Sequence, residues 1–323
     1  MSVTRKIVVL GTGGTIAGTG NDDGRALGYQ AGQIGVAQLL QGAGALATAQ
    51  GLQVVTEQVA QLDSKDMGVA VWQALAQACQ RWLAQDEVAA LVITHGTDTL
   101  EETAWLLQSA LQPGKPVVLT CAMRPATALS ADGPANLRDA LCAAAQLPAG
   151  VWVVAAGEVH AARWVRKVHP YRLNAFAGVG AGPQGWVEEG VLRLHTGLDT
   201  ATALVGAPLC AAAWAVPAVQ WPWVEVVTSC AAARAQSVDA LVAAGVQGLV
   251  VAATGNGSVH SALAQGLERA RQAGVAVVCT TRCEQGQIVL APAAPQGEVS
   301  SLSPVKARIE LMLQLLRAQV QAA

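Results

Sequence analysis

Ile7-Val8-Val9-Leu10 runs straight into Gly11-Thr12-Gly13-Gly14-Thr15-Ile16-Ala17-Gly18, and this junction decides the fold class. Four consecutive apolar residues, three of them β-branched, read as a strand buried on both faces. The glycine-framed turn that follows is the loop such a strand presents at the carboxyl end of an open sheet. Further short apolar runs at 52–59, 88–94, 117–120 and 151–155 repeat the strand signal. The stretches between them, 66–85, 100–111 and 134–147, carry helical spacing, with Trp72, Leu75, Ala76, Cys79 and Leu83 on one face of the first. Strand and helix in alternation predict an α/β protein whose larger N-terminal domain is a doubly wound, largely parallel sheet.

The pattern loosens from 178 to 223, where Gly, Pro and Trp gather. It resumes at 224–228, 238–244, 248–253, 258–273 and 275–280, and ends in a helix from about 304 to 321. The expected organisation is an N-terminal catalytic domain over 1–190, a linker over 191–222 and a smaller C-terminal α/β domain over 223–323. A chain of 323 residues is long enough for two such cores.

Composition narrows the function classes. Hydrophobic residues make up 52% of the chain and charged residues 13%, yet no stretch approaches the ~20 apolar residues of a membrane helix. Net charge is −2, so the sequence carries no footprint for nucleic acid. Four apolar residues after Met1–Lys6 are too few for a signal-peptide core, and a cytoplasmic protein is expected. Seven scattered cysteines read as reduced thiols. Cys279 and Cys283 lack the second Cys/His cluster that a metal would require, so no metal and no cofactor is expected.

Ligands bind open α/β sheets beyond the carboxyl ends of the strands. The loops there are Gly11–Gly18, His95-Gly96-Thr97-Asp98-Thr99 and the segment from Ala122-Met123-Arg124, with Gly255-Asn256-Gly257 in the second domain. The first does not fit a phosphate cradle. A dinucleotide fingerprint would need glycine at Ile16, and a P-loop would need Gly-Lys at Ile16-Ala17. No G-x-S-x-G elbow or H-E-x-x-H pair is present. What remains is the hydroxyl of Thr15 among glycines that let backbone N–H groups approach a ligand. A hydroxyl is a weak nucleophile and needs a base and donors for a developing oxyanion. Thr97 is suited to relay a proton and Asp98 to carry negative charge. A nearby lysine can be tuned toward a base. The five lysines are Lys6, Lys65, Lys115, Lys167 and Lys306; Lys167 stands out at the end of His160-Ala161-Ala162-Arg163-Trp164-Val165-Arg166-Lys167.

These residues resemble the bacterial-type L-asparaginases and glutaminase-asparaginases. Gly13-Gly14-Thr15-Ile16-Ala17-Gly18 is similar to the family's first threonine motif, and Thr94-His95-Gly96-Thr97-Asp98-Thr99-Leu100-Glu101-Glu102-Thr103 to its second. The stretches 123–134 and 254–257 also look like segments of the family, so the likeness runs in order over nearly the whole chain. The resemblance implies that Thr15 is the nucleophile, forming an aspartyl ester, and that Tyr29 belongs to a loop closing over the substrate. It implies a second triad of Thr97, Lys167 and Asp98, in which the lysine sets the threonine's proton affinity and Asp98 binds the substrate amino group. Ser64 would hold the α-carboxylate, with Asp63, Lys65, Gly14 and Gly96 also at the substrate. Asn256 would reach a neighbouring subunit's site, so a homotetramer is implied.

Lys65 stands where many periplasmic relatives have glutamine, and Asp63-Ser64 looks more like cytoplasmic relatives. After Thr281-Arg282-Cys283-Glu284-Gln285-Gly286-Gln287 no equivalent of the periplasmic members' late acidic residue is found. The expected reaction is hydrolysis of the small molecule L-asparagine to L-aspartate and ammonia, with side activity on L-glutamine. Two alternatives use the same scaffold: an amidotransferase subunit supplying ammonia to a partner, and a silent aspartate or asparagine sensor. The chain has no added domain or basic run for the first, and a sensor has no need of two paired hydroxyls. Taken singly, Thr15 and Asp98 would serve as helix caps, Glu101-Glu102 as first-turn charges, and His95 as a structural hydrogen-bonding residue.

Overall fold

The structure, a computed structural model, describes residues 5–20, 28–41, 52–196, 207–290 and 299–322. The chain divides into two compact units, Met1–Leu204 and Val205–Ala323.

The first unit is built on an eight-stranded sheet. Its strands are β1 (Lys6–Gly13), β2 (Gln53–Leu62), β3 (Val88–Thr94), β4 (Pro116–Thr120), β5 (Gly150–Ala155), β6 (Glu158–Ala161), β9 (Gly185–Glu188) and β10 (Val191–Leu194), in the order β10-β9-β6-β5-β4-β3-β1-β2. The five strands from β5 to β2 are parallel, and β6, β9 and β10 extend the sheet antiparallel along one edge. The remaining pair, β7 (Val165–Lys167) and β8 (Phe176–Gly178), forms a separate antiparallel hairpin. The sheet is thus mixed where sequence reading expected it largely parallel. β10 also occupies the start of the stretch read as linker. Both outer strands are four residues long and close a tight turn at Gly190, which is too short for a period-2 pattern to stand out.

Ile7, Val8, Val9 and Leu10 are all fully buried, because helices cover both faces of the central strands. Helices α1 (Val36–Leu39), α2 (Val69–Leu83), α3 (Leu100–Leu111) and α4 (Gly133–Ala144) do this covering. Leu137, Ala140 and Leu141 of α4 pack with Ile7, Val9, Val92 and Val118. Trp72 of α2 donates its indole N–H to Thr103 of α3 at 2.9 Å, satisfying the one polar group of a buried aromatic. The face predicted for α2 is buried through Trp72, Leu75, Ala76 and Cys79.

The chain leaves β1 toward β2 on one side and returns to β3 on the other, so the order of strands reverses at β1. Ligand crevices form at such a switch point. The register brings the ends level: Leu10 lies beside Ile93 and Gly11 beside Thr94, and Thr12 Oγ1 donates to the Thr94 carbonyl at 2.9 Å. The loops after β1 and β3 therefore emerge side by side.

The second unit is a three-stranded parallel sheet, β11 (Val224–Thr228), β12 (Gly248–Ala253) and β13 (Ala276–Thr281), in that order. With it go helices α5 (Ala211–Ala215), α6 (Gln236–Ala243), α7 (Ser261–Gln272) and α8 (Pro304–Gln321). Its core joins Val227, Leu249 and Val251 of the sheet with Val238, Leu263, Leu267 and Ala270 of α6 and α7. None of the described helices is long and apolar enough to cross a membrane.

Candidate active site

Thr15 opens a single 3-10 turn directly after β1, and Gly14 before it adopts φ +81°. That conformation suits glycine, and so does the space. A Cβ on Gly14 would lie 2.3 Å from the Cα of Gly96, and one on Gly96 would lie 2.5 Å from Ser64 Oγ. The two loops thus touch backbone to backbone, with Ser64 behind them.

Two hydroxyl pairs stand on these loops. Thr15 Oγ1 and Tyr29 Oη share a hydrogen bond of 2.6 Å, to which either hydroxyl can be the donor. Tyr29 is held by a short bridge in which Thr19 and Gln30 exchange backbone hydrogen bonds at 3.0 and 2.9 Å. On the second loop, Lys167 Nζ donates to Thr97 Oγ1 at 2.8 Å and to Asp98 Oδ1 at 2.5 Å. Thr97 and Thr15 are both buried, whereas the Asp98 side chain is about half exposed. Asp98 therefore carries a paired negative charge that still faces outward.

Ser64 Oγ accepts from the Asp98 backbone N–H at 3.1 Å, and the Ser64 carbonyl accepts from Thr99 Oγ1 at 2.8 Å. Asp63 caps this turn by accepting from the Lys65 N–H at 3.3 Å. The Lys65 ammonium pairs with Asp66, and this partner holds its pKa above the ordinary lysine value. The structure thus gathers Gly14, Thr15, Tyr29, Asp63, Ser64, Lys65, Gly96, Thr97, Asp98 and Lys167 on neighbouring loops of the first unit. Asn256 belongs to the second unit, where its amide donates to the Val289 carbonyl at 3.0 Å and accepts from the Val289 N–H at 2.6 Å. Residues 21–27 of the loop leading to Tyr29 lie outside the described residues.

The loop after β4 is braced by Asp132, which accepts from the backbone N–H groups of Met123 and Arg124 at 2.9 Å each. Arg124 in turn lies over the Tyr171 ring, 4.0 Å from its centroid, and donates to the Tyr171 carbonyl at 2.9 Å. These contacts tie the hairpin carrying Lys167 to the main sheet. Among the described residues no group of three His, Cys, Asp or Glu side chains converges as metal ligands. The Cys79 thiol is pushed up to about 12 by burial, which keeps it protonated and inert at neutral pH.

His95 is fully buried and hydrogen-bonds through Nδ1 to the Gly96 carbonyl at 2.7 Å. A carbonyl only accepts, so Nδ1 carries the proton and Nε2, buried without a partner, is bare. Burial lowers its pKa to about 4. A free histidine titrates near 6.5, so between those values the unfolded chain binds the extra proton and the folded chain does not. Stability is therefore lost as pH falls below about 6.5, by on the order of 2 kcal/mol at pH 4.5. Denaturant midpoints measured from pH 4 to 8 should show this slope in the wild type and a flatter one in His95→Gln.

Comparison with known proteins finds the same two domains in the same order. Residues 6–199 match the family described as "Asparaginase, N-terminal", and residues 223–322 match "Glutaminase/Asparaginase C-terminal domain". The chain is 36% identical to L-asparaginase 2 of Escherichia coli (strain K12), over 97% of this chain and 89% of that protein. It is 33% identical to the glutaminase-asparaginase of Pseudomonas fluorescens biotype A, over 97% and 87% respectively. The crystal structure of a probable cytoplasmic L-asparaginase from Campylobacter jejuni superimposes with a TM-score of 0.85 at 31% identity, covering 98% of each chain. With both domain matches in sequence order and two threonine loops joined at the switch point of the sheet, the chain belongs to the asparaginase family of amidohydrolases.

Proposed function

We propose that this chain is an L-asparaginase, hydrolysing L-asparagine to L-aspartate and ammonia through a covalent ester on Thr15. The observation that carries this reading is the pair of hydroxyl contacts, Thr15 with Tyr29 and Thr97 with Lys167, on loops that meet at Gly14 and Gly96. In the first half-reaction Thr15 Oγ1 attacks the side-chain carboxamide carbon, its proton passes to a neighbouring base and from there to the amide nitrogen, and the C–N bond breaks to release ammonia and leave the ester. In the second, water attacks the ester, releasing L-aspartate and restoring the hydroxyl. Tyr29 is the immediate proton partner of Thr15. Thr97, with Lys167 at 2.8 Å, supplies the second proton path.

Substrate orientation follows from fixed charges. Asp98 receives the α-ammonium, and Ser64, whose Oγ already accepts from the backbone, directs its proton to the α-carboxylate. Glutamine is longer by one methylene, a difference worth about 1–3 kcal/mol in a shaped pocket, so a weaker glutaminase activity accompanies the main one. The completed enzyme is a homotetramer in which Asn256 serves a neighbouring subunit's site. A cytoplasmic location is part of the same reading, supported by the likeness to the Campylobacter protein.

Ammonia release by the purified chain tests the activity. Asparagine should be turned over without any added protein, with glutamine lower by about 10-fold or more. A chain inert on both amides until a second protein is added would overturn the reading in favour of an ammonia-supplying subunit.

A further inference from the structure

Lys167 is held at both of its nitrogens by one five-residue segment. Its Nζ donates to Thr97 and Asp98, and its backbone N–H donates to Glu101 Oε1 at 3.2 Å. The second contact has a backbone reason. Val168 donates to the Ala175 carbonyl at 2.8 Å, and N–H groups alternate in direction along an antiparallel strand, so the N–H of Lys167 points away from β8. The hairpin has only two strands, and nothing in its own ladder would meet that N–H. Glu101, at the second position of α3, takes the place of a third strand at this one residue.

Glu101 has a further peculiarity. Its other oxygen, Oε2, is buried and accepts no hydrogen bond. A buried carboxylate oxygen without a donor is costly, and sequence reading gave Glu101 only the role of a first-turn charge on α3. That role is satisfied just as well by an exposed carboxylate. The burial is explained if the residue is there for its contact with β7.

We infer that Glu101 is a positioning residue for the proposed reaction: it fixes the backbone of β7 against the start of α3, so that Lys167 Nζ stays on Thr97 Oγ1. The inference rests on the role given to Lys167 above. A three-residue strand at the end of a hairpin has little to hold its register. A displacement of about 1 Å is enough to lower a rate by about 100-fold.

Two variants separate the hydrogen bond from the charge. Glu101→Asp keeps the charge at the helix start but is too short to reach the Lys167 N–H; Glu101→Gln keeps a carbonyl oxygen where Oε1 stands. For Glu101→Asp, kcat on asparagine should fall by about 100-fold with KM within about threefold, and the pH profile of kcat should shift. Glu101→Gln should stay near wild type in all three. Competitive acetylation of Lys167, read by mass spectrometry, provides a readout independent of turnover: Nζ should label several-fold faster in Glu101→Asp and at the wild-type rate in Glu101→Gln. Equal losses in both variants, a rise in KM matching the fall in kcat, or unchanged labelling would overturn the positioning role. A wild-type chain without amidase activity would overturn the reading of the site instead, and the labelling result would still decide the inference.

Discussion

Thr15→Ala is expected to lower kcat on asparagine by about 10⁴-fold or more while leaving the fold intact. The Thr15 hydroxyl meets Tyr29 at 2.6 Å, and the threonine occupies a single 3-10 turn whose hydrogen bonds are backbone ones, from Ala17 to Gly14 and from Gly18 to Thr15. Alanine preserves those bonds and removes the oxygen that would form the ester, together with one methyl group. Thr15→Ser, which restores the oxygen but loses the methyl group that fixes its rotamer, should recover much of the rate. Ammonia release under saturating asparagine, with circular dichroism as the control for folding, checks both variants. A rate in Thr15→Ala above one hundredth of wild type would move the nucleophile to Thr97.

The second large effect is expected at Lys167. Lys167→Met keeps most of the volume of a largely buried side chain and removes the nitrogen that bridges Thr97 and Asp98. A positioned proton-transfer group contributes about 10²–10⁴-fold, and a fall of that size in kcat is the expected result. Lys167→Arg should not rescue it. The guanidinium stays charged and cannot take up a proton, and its planar fork does not reproduce one ammonium shared between a hydroxyl and a carboxylate. Steady-state kinetics across pH 6–9 decide the point: recovery by arginine would mean that Lys167 acts through fixed charge alone.

Much of this site was legible in the sequence because strand-end loops of a doubly wound fold are short and local. The stretch from Ile7 to Gly18 announces its strand and its turn together, and α3 was predicted with the bounds the structure has, Leu100–Leu111. What was not legible depends on tertiary pairing. Gly185–Glu188 and Val191–Leu194 alternate in burial, but four residues beside glycines do not separate a strand from a loop. Lys167 was singled out by the scarcity of lysine and by resemblance, since a three-residue strand leaves no periodic trace. Glu101 was missed as a partner of Lys167 because that contact spans 66 positions and uses a backbone N–H, which no side-chain pattern records.

The contact between Gly14 and Gly96 also bears on how such a site can diverge. Every replacement at either position adds at least a methyl group, and at Gly14 that carbon meets main chain while at Gly96 it meets Ser64 Oγ. No single exchange there is a small step, so substitution at either glycine cannot adjust the spacing between the two threonine loops gradually. New preferences among amides must then arise at the rim of the site, where the exposed Lys65 side chain meets no such backbone constraint, rather than at its centre.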